Sequence, residues 1–448
     1  MKKRFIFLFL IFSRLNSLSL SEQLTQAFEK EKYNEVLKIL KENKSLVNEF
    51  WEKIEKVALE KDERGLRQLY LEFYPKNLEN NLLADNQRQS LSLIISRELR
   101  FLRNLNYHRD EDVLAIRRCF ELIFYYELRE NFYDVLPFIV YPLLEVRRDA
   151  YRTLALFKDD RMFPAIMKLL NSENALERTY ALDALYYIRD ERTMPILIQA
   201  LKDKNKSVRY YAIRTLESLE KNDAIPYFIR ILQEDVDPEV RIKSIHALVH
   251  LNARSAFSAI ARAVSDENSE VRREATRALV YFAEPSGSYY ISEQLARETE
   301  NELQLEQIEA LMRLKNSGGM AGLNRVMMRE TNLKVRLWAL YVAGYLADMR
   351  GYDAVLSNVY HQSPEIRAEA AFALGYFRNK SAVKPLLALV KYDLEYAVQA
   401  AALFAILKIN HEESFPELFE IMEEHQDVRI RYQAKQVLQK LLQDRFRK

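Results

Sequence analysis

The chain has 448 residues, of which 49 % are apolar and 29 % charged, and its formal net charge is +2. That is ample apolar material for a continuous core, while a near-neutral balance lacks the global field that steers nucleic-acid binders. A single cysteine, Cys119, excludes an intrachain disulfide framework; it stands in an apolar helical run and reads as a buried structural thiol. Glycine occurs only 8 times, with none between Gly65 and Gly287, which argues for an all-helical chain and removes phosphate-cradling loops from that stretch.

In chain order, the first element is a targeting segment. Lys2, Lys3 and Arg4 precede the apolar run Phe5 to Phe12, and small residues follow at Ser17 and Ser19. A basic start, a short apolar stretch and small residues fit a secretory signal peptide over 1–21, with cleavage after Ser19 or Ser21. The run is far shorter than the roughly 20 residues needed to span a bilayer. Residues 1–19 hold four basic residues and no acid, so the mature chain would carry −2. The expected location is periplasmic or secreted, or cytoplasmic if the segment stays uncleaved, and no membrane span is expected after its removal.

Residues 22–85 read as an N-terminal helical region. Leu24, Ala27 and Phe28, then Val36, Leu37 and Leu40, are apolar at helical spacing, with Tyr33-Asn34 between them suggesting a helical hairpin. The run from Ala27 to Tyr33 weakly resembles a tetratricopeptide helix pair. Pro75 to Asn86 reads as a polar linker. Helices are then expected over 87–105, 111–128 and 131–145, the last two as degenerate first repeats within a helical region 86–145.

From Val146 to the end a nine-residue pattern recurs, Val-Arg-x-x-Ala-x-x-Ala-Leu. Good copies begin at Val208, Val271 and Ile366. The lead positions are Val146, Glu177, Val208, Val240, Val271, Leu303, Val335, Ile366, Val398 and Val428, at steps of 30 to 32 residues. A fixed period of that size means stacked supersecondary units. Pro164, Pro195, Pro226 and Pro416 each follow their lead by 18 residues and Pro385 by 19. Proline suits the first turn of a helix, so each unit is two helices, the second opening at the proline. This alternation resembles HEAT repeats, in the short form of the phycobilisome-lyase type; Ala370-x-x-Ala373-Leu374-Gly375-Tyr376, followed by Ala382-Val383-Lys384-Pro385-Leu386, is the nearest stretch. The expected fold is an all-α, right-handed α-solenoid of about ten two-helix repeats over 146–448, behind an N-terminal helical region. The departures are Glu177, Leu303-Gln304 and Gln399.

The lead, the two alanines and the leucine fall at offsets 0, 4, 7 and 8, one helix face, and belong to the core. The arginines that follow the leads (Arg147, Arg178, Arg209, Arg241, Arg272, Arg336, Arg367, Arg429) oppose the helix dipole and call for acid partners. Acids stand before most of them: Glu145, Asp203, Asp237, Glu239, Glu270, Glu365 and Asp427. Ties between successive units are expected, with phosphate binding the alternative. Offsets 3, 6 and 10 point away from the core. By the HEAT resemblance, their helix lines the concave side.

That stripe supplies the candidate partner-binding residues: Trp338, Tyr341, Tyr345, Phe372 and Tyr376 as the densest patch, with Tyr180, Tyr187, Tyr211, Arg214, Arg277 and Tyr281. Exposed aromatics beside arginine are what protein-binding hot spots use; packing between adjacent first helices is the competing role. His246 and His250, four apart, could grip a metal, but no third ligand is evident and no metal or other cofactor is expected. No catalytic constellation stands out, so the chain is read as non-enzymatic. The favoured function is an exported scaffold holding a protein or peptide in its concave groove. A lyase- or chaperone-like partner of a pigment protein, suggested by the repeat type, is the alternative. A nucleic-acid-binding solenoid comes third, opposed by the mixed signs along the stripe.

Overall fold

The computed structural model describes residues 19–446 apart from 31, 44–45, 62–63, 75–84, 106–108, 156 and 158–159. Residues 1–18 of the expected targeting segment and 75–84 of the expected linker lie outside the described residues. Ser19 caps helix Leu20–Glu29 with a capping box to Glu22, and helix Tyr33–Glu42 follows, giving the expected hairpin. Among the described residues the chain is α-helical, with short 3-10 turns and no strand. It forms two units, 1–219 and 220–448.

Each repeat is built by local rules. First helices open on a short polar cap: Asn174, Asn205, Asp237, Asn268, Asn332 and Ser363 each accept a hydrogen bond from a backbone N–H of the following turn. Except for Gly287–Leu295, the second helices from Phe163 onward follow a three-residue 3-10 turn, and Pro164, Pro195, Pro226 and Pro416 sit in their first turn. Pro385 differs: its helix begins at Val383, two residues earlier. Gly318 and Gly319 lie in one of these 3-10 turns, Ser317–Gly319.

The reversal between the two helices produces a third ladder. Glu127, Arg189, Glu220, Asn252, Ala283, Lys315, Ala347, Arg378 and Asn410 all have φ between 47° and 54°. After the first step of two periods, they recur every 31 or 32 residues. The left-handed conformation usually falls to glycine. Here side-chain-bearing residues hold it at each of these nine reversals, so glycine scarcity did not mean an absence of left-handed turns.

Two expectations need correction. Residues 131–145 do not form one helix: Arg129–Asn131, Phe132–Val135 and Leu136–Val140 are separate short pieces, because Pro137 and Pro142 interrupt the backbone hydrogen bonding. The last lead is Ile430, not Val428. Ile430, Ala434, Val437 and Leu438 are buried at offsets 0, 4, 7 and 8, whereas Val428 is exposed. Arg431, rather than Arg429, then takes the position after the lead, donating to the carbonyl of His425 six residues upstream.

First helices pack on first helices within each unit. They come close at Gly344, where an added Cβ would stand 2.8 Å from the Cα of Ala373, and at Gly375, 2.9 Å from the Cα of Ala405. Only a residue without a Cβ permits these distances. Cys119 is fully buried, and burial pushes its thiol well above the usual range, as expected of a structural cysteine.

Candidate functional site

The arginines after the lead positions are joints. Arg178, Arg272 and Arg367 each donate from Nη1 to carbonyls five and six residues upstream. With Nε and Nη2 each grips one carboxylate in the next inter-repeat loop: Asp203, Glu298 and Asp393, at 2.7–3.0 Å. Arg241 reaches Asp266 at 2.7 Å, Arg147 reaches Glu177 at 3.1 Å, and Arg336 takes the Asn358 side-chain oxygen. Burial opposes the charge on Asp203, Glu298 and Asp393, but the N–H donors around them outweigh it and hold all three carboxyls below their ordinary range. Gln304 and Gln399 replace the guanidinium with an amide that still reaches the loop carbonyl.

The expected ties between successive repeats are therefore present, but mostly with partners other than the acids named from sequence. Of those, Asp203 is a joint. Asp237 caps its own helix, while Glu270 and Asp427 pair locally with Arg273 and Arg429. For Arg178, Arg241, Arg272 and Arg367 the partner stands 25 or 26 residues further on, where the next loop comes alongside.

On the opposite side of the first helices lies the ring stripe. In the unit 220–448, helix Leu333–Leu346 carries Trp338, Tyr341 and Tyr345; helix Pro364–Phe377 carries Glu369, Phe372 and Tyr376; helix Tyr396–Ile409 carries Phe404 and Lys408. Trp338 and Tyr341 are stacked, with centroids 5.2 Å apart and planes 4° from parallel. Phe372 stacks on Phe404 at 4.8 Å and meets Tyr376 at 5.3 Å. Tyr341, Tyr345 and Tyr376 remain 40 %, 47 % and 43 % exposed, so these rings lie on each other without closing over. Lys315 lies 5.9 Å from the Tyr345 ring, and Lys408 lies 5.3 Å from Phe404 and 6.0 Å from Tyr376. Glu369 is half-buried; its Oε1 is enclosed without a hydrogen-bond partner, and burial pushes its carboxyl above the usual range.

Arg277 and Tyr281 sit apart from that cluster. Arg277 is bound to Glu274 at 2.7 Å and Glu306 at 3.0 Å, so its charge is already answered. Tyr281 is exposed. His246 is held by Glu274 at 2.9 Å. Among the described residues no group of three or more His, Cys, Asp and Glu side chains is placed to hold a metal ion.

In the unit 1–219 the same offsets are stitched by charge. Asp183, buried, accepts from Arg152 at 2.6 Å and from Arg214 at 3.1 Å. Arg214 also covers the Tyr186 ring at 4.1 Å and reaches Tyr211 at 5.7 Å. Tyr180 and Tyr187 are half-buried, with Tyr187 edge-on to Phe124. This unit holds a cleft of about 980 Å³ lined by Leu71, Leu114, Arg117, Phe124, Arg152 and Tyr187 among others. Sequence reasoning passed over Leu114 and Phe124, both exposed. A signal existed: one period of 31 before Val146 falls on Ala115, and Cys119, Leu122 and Ile123 are buried at offsets 4, 7 and 8. Helix Asp110–Tyr126 is thus a further first helix.

Paired helices at a fixed period, joined by an arginine–carboxylate ladder, define an α-solenoid. The family model for HEAT repeats matches at 163–249, 225–312 and 352–439, which together cover just over half of the chain. The chain belongs to the HEAT-repeat family. No curated protein matches it. Among solved structures it is similar to the karyopherin Kap121p bound to the extreme C-terminus of the protein phosphatase Cdc14p (TM-score 0.56, 13 % identity), covering 88 % of this chain and 49 % of that one. Kap121p bound to Pho4p gives a TM-score of 0.55 at 12 % identity, with coverage of 88 % and 49 %. Kap121p bound to Nup53p gives 0.52 at 13 %, with 94 % and 48 %. The chain spans about half the length of these karyopherins, and at such identities the likeness concerns the fold. No helix among the described residues is long and apolar enough to cross a membrane.

Proposed function

We propose that the chain is an exported, non-enzymatic scaffold that holds a protein or peptide against the face of its first helices. The rings Trp338, Tyr341, Tyr345, Phe372 and Tyr376 form the main contact. The observation that carries this reading is their half-exposure on closely packed helices. Large rings left open to water on a backbone that cannot close over them are pre-organised contact area, which loses little side-chain entropy on binding. The karyopherin Kap121p, of the same fold, is bound to the extreme C-terminus of Cdc14p in one structure and to Pho4p in another, which favours a protein partner. Export rests on Lys2, Lys3 and Arg4 ahead of the apolar run Phe5 to Phe12.

The test is Trp338→Ala combined with Tyr341→Ala, with partner capture by crosslinking in the exporting compartment. Hot-spot rings are worth ~2 kcal/mol or more each, so binding falls by at least about 30-fold. Helical content and melting stay nearly unchanged. A large melting loss would instead make these rings packing residues and end the proposal. N-terminal sequencing of the mature chain checks export; a chain that keeps Met1 contradicts it.

A further inference from the structure

The acids on the ring-bearing stripe have cations of their own, with one exception. Asp183 has Arg152 and Arg214; Glu274 has His246 and Arg277; Glu306 has Arg273 and Arg277; Glu309 has Arg313. Glu369 has none within salt-bridge distance among the described residues, and its Oε1 is enclosed with no hydrogen-bond donor. An ionised carboxylate shielded from water and left unpaired is costly, and other acids on this stripe avoid that arrangement.

The neighbouring positions hold rings. Glu369, Phe372 and Tyr376 share one helix face at spacings of three and four. One period earlier the same positions are Trp338, Tyr341 and Tyr345. The Gly344–Ala373 contact aligns the two helices and sets Glu369 at the height of the Trp338–Tyr341 stack. Further along, lysines already lie against rings, Lys315 at Tyr345 and Lys408 at Tyr376 and Phe404. No cation lies over the Trp338–Tyr341 pair among the described residues, although tryptophan is the strongest ring for one.

We infer that this place receives a lysine or arginine side chain of the protein partner, its charge on Glu369 and its stem against Trp338 and Tyr341. The inference rests on the proposal that this face is a docking surface, and it assigns the chemistry of the segment that docks. A carboxylate on one side and ring faces on the other supply a charge-assisted hydrogen bond and a cation–π contact to the same group. A partner cation would satisfy the group that the fold leaves unpaired.

The full chain carrying Trp51→Phe keeps Trp338 as its sole tryptophan, so emission reports this place alone. Deca-arginine, deca-lysine and an uncharged Gly-Ser decapeptide are titrated in turn. Saturable quenching by the cationic peptides and none by the neutral one is expected. Glu369→Gln, matched in shape, weakens binding by about tenfold or more, the loss of one charge-assisted contact. Glu302→Gln, an exposed acid outside the stripe, changes it less than about twofold. Circular dichroism confirms that both variants keep their helical content. No quenching by the cationic peptides, or equal quenching with and without Glu369, overturns the inference. If partner capture needs Trp338 and Tyr341 but is indifferent to Glu369→Gln, the docking face stands and the cation subsite is wrong. If capture survives the loss of both rings, the docking face itself is wrong.

Discussion

The unit 1–219 and the ring-bearing repeats of the unit 220–448 use the same positions of the first helix for opposite ends. In 1–219, offset 6 of one repeat is Asp183, buried between Arg152 and Arg214, with Arg214 spread over tyrosine rings. In 220–448, offset 6 is Tyr341 and then Phe372, and the rings stay open. A face whose acids and bases answer one another is a seam. A face of rings with an unanswered carboxylate is available to something else. Repeat proteins allow this because the core offsets carry the packing and leave the outer offsets free to vary.

The joints common to both units give the largest expected effect. Arg367 and Asp393 are largely buried, and Asp393→Ala would leave a guanidinium with half its partners, at about 3 kcal/mol in a urea melt. An outcome below about 0.5 kcal/mol would mean the ladder is decoration. Acid tests the same joints. With folded carboxyls held below the range of an unfolded chain, their stabilisation is complete above that range and fades as pH falls from about 4. Asp393→Asn flattens that fall.

A smaller pair separates the seam from the open face. Asp183→Asn breaks a buried hub between two part-exposed arginines and lowers stability by about 2 kcal/mol, the exposed partners keeping it below the fully buried case. Glu369→Gln removes an unpaired shielded charge and leaves melting unchanged or slightly raised. Equal losses from both would erase the contrast drawn between the units.

The smallest effect concerns the reversals. Ala347 stands at φ 50°. The left-handed conformation costs a side-chain-bearing residue about 1–2 kcal/mol, partly offset by the greater chain entropy of glycine. Ala347→Gly should therefore gain about 0.5–1 kcal/mol by differential scanning calorimetry. Asn410→Gly gains much less, because asparagine already tolerates that region.

Much of this was legible in the residues. The lead positions, the alanines and the prolines placed the helix pairs, because a helix face is written at offsets of three and four whatever surrounds it. The last repeat was misplaced by two residues because Val428-Arg429 imitates the pattern locally, and only burial of Ile430 and Ala434 picks the true register. The early repeat at Ala115 was read as degenerate because Ile116 stands where arginine would.

By itself, then, the sequence determined the period, the pairing of helices and which side of each first helix is core, all consequences of local geometry and apolar spacing. Tertiary structure decided the partners. Arg367 chose Asp393 rather than the nearer Glu365 because the next loop comes alongside 26 residues later. Glu369 was left alone because the register brings rings, not a base, to its height. Such choices depend on which side chains two separate helices hold within about 3 Å of one another, a distance that no spacing along one chain contains.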